Sequence, residues 1–223
     1  MRYRLFACLV LSGAAPARGA AAVPIDRIVA LYGPTYELAI RREGSVIGHH
    51  TLTFRQEGGT WQVAAASDVA IKLAFIALFR FTYRSDETWA DNRLTALTAD
   101  TDDDGERTRV AVRAAATGFR ITGSGGDWVG PPASFPTSHW QRPAPGPGVV
   151  INTLTGKRND VVVVDRGEET LDTGAGPIKA RRLSYTGDLE VDTWYEADGR
   201  WLGMRFKGRD GAPIDYICTR CGR

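Results

Sequence analysis

The segment Val69–Arg84, VAIKLAFIALFRFTYR, carries the clearest structural signal in the sequence. Every second residue from Val69 to Tyr83 is apolar or aromatic, and the residues between them are polar toward both ends of the segment. A period of two is typical of a β-strand, whereas a helix would place its apolar residues three or four positions apart. The pattern therefore predicts one long strand, bent or bulged midway and covered on both faces at its centre.

The rest of the chain repeats this alternation in shorter segments, such as Tyr36–Arg41 and His50–Phe54, with glycine-containing turns between them. Residues 130–148 contain six of the eleven prolines, and proline cannot donate a hydrogen bond within a central strand. We therefore expect this segment to be a Pro-rich loop that splits the chain into two halves. The predicted fold is all-β, an antiparallel meander of roughly a dozen strands that forms a curved sheet or open barrel.

The first 22 residues differ in character from the rest of the chain. Arg2 and Arg4 precede an apolar run, and small residues end it at Ala20–Ala22, which is the pattern of a secretory signal peptide. We expect residues 1–22 to be a signal peptide, residues 23–223 to form a single β domain, and the protein to be exported to the periplasm of a Gram-negative bacterium. No apolar run reaches the roughly 20 residues that span a bilayer, so the sequence does not predict a membrane-spanning helix.

The charge balance does not favour nucleic-acid binding. The full chain has 28 basic and 26 acidic residues, and cleavage after Ala22 would remove three arginines and no acids. The remaining charges are mixed in sign along the chain, whereas nucleic-acid binding needs a basic patch. We therefore expect no nucleic-acid partner.

Two cysteines, Cys218 and Cys221, lie close to the C-terminus in the string CTRC. An oxidising compartment favours a disulfide between them, which requires a turn, because an extended strand would hold the Cα atoms too far apart. A zinc site would need a second pair of ligands, and a redox site would need the motif at a helix N-terminus.

The acidic string Asp100–Gly105 resembles the first half of a calcium-binding loop, but Ala111 stands where that loop needs a bidentate glutamate. A solvated hairpin tip is the preferred interpretation, and a weak calcium site is the alternative. The adjacent His49 and His50 would point to opposite faces of a strand and could not bind one metal ion together. We expect no metal or other cofactor and assign no catalytic residue.

The aromatic residues allow two interpretations, a packed core or the lining of a cavity on the concave face of the sheet. The cavity interpretation gives a set of candidate ligand-binding residues: Phe75, Phe79, Phe81, His139, Trp140, Asn152 and Trp194. An alternative for the string Ser138–Trp140 is that Trp140 plugs the sheet while His139 caps a loop carbonyl.

Five strings in the sequence together resemble an uncharacterised family of exported proteobacterial proteins. They are Thr101–Gly105, Ser138–Trp140, Ile151–Gly156, Thr186–Leu189 and Asp192–Gly203. The last string, with its Trp-Tyr-x-x-Asp-Gly hairpin, also resembles broader exported β-clamp proteins, which are similar in architecture to periplasmic lipoprotein carriers. The resemblance implies a β-clamp-like fold and no established activity.

Three functional hypotheses follow. The first is a non-catalytic periplasmic protein that binds a lipid or another hydrophobic small molecule against its concave face. The second is an envelope protein that binds another protein through an exposed sheet edge. The third is an enzyme that uses His139 as acid or base, supported by Ser138 or Asn152.

Overall fold

The computed structural model describes residues 24–73 and 76–221. Over these residues the chain forms a 3₁₀ turn, Ile25–Arg27, and one turn of helix, α1, Ile28–Tyr32, followed by 15 strands. In chain order the strands are β1 Thr35–Arg42, β2 Ser45–Glu57, β3 Thr60–Leu73, β4 Ile76–Ala90, β5 Arg93–Asp103, β6 Glu106–Ala115, β7 Gly118–Gly123, β8 Trp128–Gly130, β9 Phe135–Pro136, β10 Gly146–Ile151, β11 Arg158–Thr173, β12 Gly176–Gly187, β13 Val191–Tyr195, β14 Trp201–Lys207 and β15 Pro213–Cys218.

The strands form one curved sheet. Chain neighbours pair antiparallel from β1 to β8 and from β10 to β15, and β1 pairs antiparallel with β15, so the two halves of the meander join where the described chain begins and ends. The short strands β8 and β9 form the two outer edges of the sheet. This architecture confirms the all-β, predominantly antiparallel prediction, with more strands than expected.

The Pro-rich segment runs between the two edges of the sheet. Within it, Phe135–Pro136 is a two-residue edge strand that pairs in parallel with β10, and β10 itself begins at Gly146. Proline at an edge strand is tolerated because the side without a neighbour needs no hydrogen-bond donor. The segment thus separates the two halves of the meander, as predicted, although its last three residues belong to β10.

The two edges of the sheet approach each other and touch. The indole Nε1 of Trp128 donates a hydrogen bond of 2.7 Å to the carbonyl of Gly156, and the amide of Gly125 donates one of 2.9 Å to the carbonyl of Thr155. The loop between β10 and β11 therefore rests on the β7–β8 edge. The sheet is curved almost into a barrel, and its inner face can enclose a volume.

The segment Val69–Arg84 is part of a hairpin and not one strand. Strand β3 ends at Leu73 and β4 begins at Ile76, with Ile71 opposite Phe79 and a register shift beside this pair. Paired residues of antiparallel strands share a face of the sheet, and here odd-numbered residues of β3 lie opposite odd-numbered residues of β4. The apolar residues therefore stay at odd positions through both strands, as they would in a single strand. The segment also lacks the Gly, Asn, Asp or Pro that usually marks a two-residue turn. The prediction that both faces are covered at the centre of the segment is wrong for Leu78, which is exposed.

Two-residue turns fix the register of the first half of the sheet. Four hairpins have both central residues at positive φ, which is the geometry that matches the twist of the paired strands. Their central residues are Glu43–Gly44, Gly58–Gly59, Asp91–Asn92 and Asp104–Gly105. With the register fixed, alternate residues along each strand face the interior.

One end of the curved sheet is filled by side chains. Helix α1 places Ile28 and Tyr32 in this end, where the Tyr32 hydroxyl donates to the carbonyl of Trp140 at 2.7 Å and accepts from the amide of Trp201 at 2.8 Å. Ile28 and both tryptophans are almost fully buried.

Across the described residues, no helix has the length and apolarity needed to cross a membrane.

Candidate functional site

The other end of the curved sheet is open and contains a cavity of about 920 Å³. Its lining changes with depth. The buried lining residues with polar side-chain atoms, here called the floor, are His50, Ser67, Tyr83, His139, Thr153, Tyr185, Trp201 and Tyr216. The buried apolar residues Ile40 and Ala65 also line the cavity. The half-buried apolar residues, here called the wall, are Val69, Ile71, Phe79, Phe81, Met204 and Phe206. The charged residues near the opening, here called the rim, include Arg42, Asp103, Asp188, Lys207, Arg209 and Asp210.

Strands β3 and β4 show this order directly. Alternate residues of a strand face the same side, so Ser67 and Ile71 both point into the cavity from β3. Opposite them on β4 lie Tyr83 and Phe79. Both strands therefore run from a polar floor to an apolar wall, which suits a ligand that is polar at one end.

The floor is built on a row of residues that oppose one another across neighbouring strands. His50 on β2 pairs with Ser67 on β3, which pairs with Tyr83 on β4. The His50 Nδ1 atom and the Ser67 Oγ atom are 2.7 Å apart and form a hydrogen bond. Burial raises the pKa of the Tyr83 and Tyr216 hydroxyls to about 12, so the phenols of the floor are neutral at physiological pH.

His139 reaches the floor from a strained turn in the Pro-rich segment. The Trp140 amide donates a hydrogen bond of 2.7 Å to the carbonyl of Ser138, which makes His139 the central residue of a γ-turn with φ of 53°. Two buried hydroxyls hold this turn: Tyr195 donates to the His139 carbonyl and Tyr32 to the Trp140 carbonyl. Strain of this kind persists only where the surrounding structure imposes it, and it concentrates at functional sites.

Each of the two floor histidines has a buried ring nitrogen without a hydrogen-bond partner among the described residues. These atoms are Nε2 of His50 and Nδ1 of His139. Both rings contact the indole of Trp201, with centroid distances of 5.7 and 5.9 Å. Burial lowers the pKa of His50 to about 3, with a smaller contribution from His139, and burial lowers the pKa of His139 to about 4. The floor therefore presents two neutral imidazoles.

A buried carboxyl group supports the turn from the filled end. The indole nitrogens of Trp89 and Trp140 donate hydrogen bonds of 2.7 and 3.1 Å to the same oxygen of Glu87, and Ser138 adds a hydroxyl. Burial raises the pKa of Glu87, against the lowering effect of these hydrogen bonds. Glu87 therefore fixes the two residues that flank His139, and it does not line the cavity.

Four of the seven residues expected to bind a ligand line this cavity. They are Phe79, Phe81, His139 and Asn152. Asn152 serves mainly to shape its own loop, since its side-chain oxygen accepts from the amides of Leu154 and Thr155. Phe75 lies outside the described residues.

The remaining two candidates, Trp140 and Trp194, do not line the cavity. Trp140 is fully buried in the filled end, which matches the alternative that it plugs the sheet, whereas the His139 ring faces the cavity. Trp194 is covered by charged side chains of neighbouring strands. The guanidinium carbons of Arg182 and Arg205 lie 5.8 and 6.0 Å from its ring centroid, and its nitrogen donates to Glu169 at 2.6 Å.

Sequence reasoning missed most of the floor. It considered His50 only as a metal ligand, although the alternation of His50 with Leu52 and Phe54 indicates an inward-facing side chain. His49, as expected, faces away from His50 and lies exposed, 3.4 Å from Glu37. The contributions of Tyr185, Trp201 and Tyr216 depend on strand pairings over long sequence distances, and no local signal reports these pairings.

The two other motifs lie outside the cavity floor. The acidic string comprises the end of β5 and the hairpin turn Asp104–Gly105, and Asp102 accepts hydrogen bonds from the Gly105 amide and from Arg107. Cys218 and Cys221 form a disulfide across a turn after β15, with Cα atoms 5.7 Å apart.

Comparisons with known proteins place the fold. Residues 38–219 match the profile of a family described as "Domain of unknown function (DUF6134)". The chain is also similar to the solved structure of a beta-barrel-like protein of another domain of unknown function, DUF1849, from Brucella abortus. The TM-score is 0.54 at 11% identity, over 82% of this chain and 93% of that chain. No curated protein matches. These findings confirm the expected resemblance to an uncharacterised β-rich family, and the solved structure supports the fold alone.

Proposed function

The chain belongs to the DUF6134 family, a domain of unknown function, and we propose that it is a non-catalytic protein that binds a hydrophobic small molecule in the cavity of its curved sheet. The cavity itself is the observation that carries the proposal. Its volume of about 920 Å³ is within the range of small-molecule sites, and its wall is apolar. Burial of apolar ligand surface against this wall would supply the binding free energy, at roughly 25 cal/mol per Å².

The floor geometry favours binding over catalysis. Ser67 and His50 form a hydroxyl–imidazole pair, but the free ring nitrogen of His50 has no carboxylate partner among the described residues. A general base works best when its pKa is near the operating pH, and the lowered pKa values of His50 and His139 make both rings weak bases.

Binding of a neutral fluorescent dye, N-phenyl-1-naphthylamine, tests the proposal. Trp201 is the one tryptophan among the described lining residues, so a dye bound in the cavity would quench its emission. We expect the double variant Phe79→Ser and Phe81→Ser to weaken dye binding at least tenfold. Both side chains are only half-buried, so the fold should tolerate their replacement.

The matched control is Val129→Ser, which removes an exposed apolar side chain from an edge strand away from the cavity. It should bind the dye like the wild type. Equal dye affinity in the wild type and the Phe79/Phe81 variant would contradict the proposal.

We further propose that the protein acts in the periplasm after removal of residues 1–22. The signal-like composition of those residues supports this, and a Cys218–Cys221 disulfide suits an oxidising compartment. The intact mass of protein recovered from a periplasmic fraction should correspond to a chain that starts near residue 23. A full-length mass in that fraction would contradict the cleavage.

A further inference from the structure

We infer that the cavity takes an amphiphile head-first, with an uncharged hydroxyl or carbonyl head at His50 and His139 and its apolar body along Phe79 and Phe81. This inference rests on the proposed function and adds the ligand class and orientation. Many lipid sites leave the polar head of the ligand at the opening. Here the floor also carries polar atoms, and two of them have no hydrogen-bond partner among the described residues.

Two buried ring nitrogens point to a polar ligand group at the floor. Nε2 of His50 and Nδ1 of His139 have no hydrogen-bond partner among the described residues, although both rings line the cavity and contact Trp201. A buried polar atom without a partner is destabilising, and native structures rarely keep one without a role. A ligand group at the floor would satisfy both atoms.

The residues of the floor favour an uncharged ligand group. Among the described floor residues there is no lysine or arginine, and burial lowers the pKa values of both histidines so that they are neutral. A carboxylate or phosphate placed at this depth would lose its hydration without gaining a counter-charge. A hydroxyl or carbonyl group needs only the hydrogen bonds that a neutral imidazole can donate or accept.

The arginines of the rim are bound to carboxylates of the rim. Arg42 is bound to Asp210 at 2.6 Å, and Arg209 is bound to Asp103. Two arginines of the rim are therefore already paired with carboxylates. An anionic head group that binds either arginine would have to compete with its carboxylate partner.

The lining of the cavity changes from polar to apolar along β3 and β4. From floor to opening, β3 presents Ser67, Val69 and Ile71, and the facing positions of β4 present Tyr83, Phe81 and Phe79. An alkyl chain attached to a head at the floor would run along this apolar track. The opposite orientation would bury the chain end against polar atoms and leave those atoms without partners.

Calorimetric titration with 1-decanol and with decanoate at pH 8 tests the inference on the wild-type protein. We expect decanol to bind at least tenfold more tightly than decanoate. In a protein with ¹⁵N-labelled histidine, decanol should shift the resonances of His50 Nε2 and His139 Nδ1. Equal or tighter binding of decanoate, or unchanged histidine resonances, would overturn the inference.

The variant His50→Phe combined with Ser67→Ala keeps an aromatic ring and leaves no unpaired serine hydroxyl. It should lose about tenfold in decanol affinity, as expected for one lost hydrogen bond. Unchanged decanol affinity would overturn the inference. If the dye binds the wild type but decanol has no advantage over decanoate, only the orientation fails. If neither the dye nor either amphiphile binds, the proposed function fails with it.

Discussion

The hydroxyl of Tyr195 donates a hydrogen bond of 2.9 Å to the backbone carbonyl of His139, the residue at the centre of the strained turn. Both residues are buried, and they are 56 positions apart in the chain. Strand β13 therefore holds a turn that the local sequence would not adopt alone. The orientation of the His139 ring depends on this contact.

Replacing Tyr195 by phenylalanine should lower the free energy of unfolding by about 1–3 kcal/mol, because the His139 carbonyl stays buried without its donor. Denaturant titration measures this change. Tyr36→Phe is a matched control, since it removes a comparable hydrogen bond of 2.6 Å to the Trp201 carbonyl. Both variants should lose stability, and Tyr195→Phe should shift the His139 ring resonances more than Tyr36→Phe does. Unaltered His139 resonances in Tyr195→Phe would contradict the account of the turn.

The positive φ of His139 makes the position sensitive to backbone preference. Asparagine tolerates this conformation and valine does not, because a β-branched side chain clashes with the backbone there. His139→Val should therefore be less stable than His139→Asn by about 1–3 kcal/mol. Thermal or denaturant unfolding of the two variants gives the comparison. Equal stability would show that the turn relaxes without the histidine.

The lowered pKa of His139 predicts a pH dependence of stability. Between pH 6.5 and about 4 the unfolded chain binds a proton that the folded protein excludes, so the free energy of unfolding falls as the pH falls. This contribution is complete above pH 6.5 and amounts to about 3 kcal/mol over the interval. His139→Asn should lack it, while the similar contribution of His50 stays in both proteins. Parallel stability profiles of the wild type and the variant between pH 4 and 7 would contradict the neutral, buried ring.

Glu87 predicts the opposite dependence. Its raised pKa means that the folded protein keeps a proton that the unfolded chain releases, so this contribution is present at low pH and is lost as the pH rises. Glu87→Gln keeps an oxygen for the two indole donors and cannot ionise. The difference in the free energy of unfolding between the variant and the wild type should therefore shift in favour of the variant from pH 4 to pH 8. Denaturant unfolding at both pH values measures this change. The control Glu57→Gln, at an exposed strand end, should show no such gain.

Much of the fold was predictable because it depends on local patterns. Alternation of residues and two-residue turns identify strands and the faces that they bury, as for His50, Leu52 and Phe54. The prediction of one strand over Val69–Arg84 is wrong because a hairpin with odd residues opposite odd residues keeps the alternation of a single strand. The sequence between Leu73 and Ile76 has no glycine or asparagine that would indicate a turn.

The floor of the cavity was largely unpredictable because it assembles residues that are far apart in the chain. His50, His139 and Trp201 meet only after β1 pairs with β15 and the Pro-rich segment folds inward. The Ser138–Trp140 string is recognisable in the sequence, but its γ-turn depends on tyrosines in α1 and β13. Aromatic content alone likewise could not separate Phe79 in the cavity wall from Trp194 outside it.

Native mass spectrometry of the protein, purified without detergent, tests the central claim most directly. The account predicts a reproducible extra mass that organic extraction releases as a small hydrophobic molecule with an uncharged polar group. After extraction, the mass should be that of the chain alone. A mass equal to the bare chain before extraction, in repeated preparations, would contradict the binding function and favour a role in binding another protein.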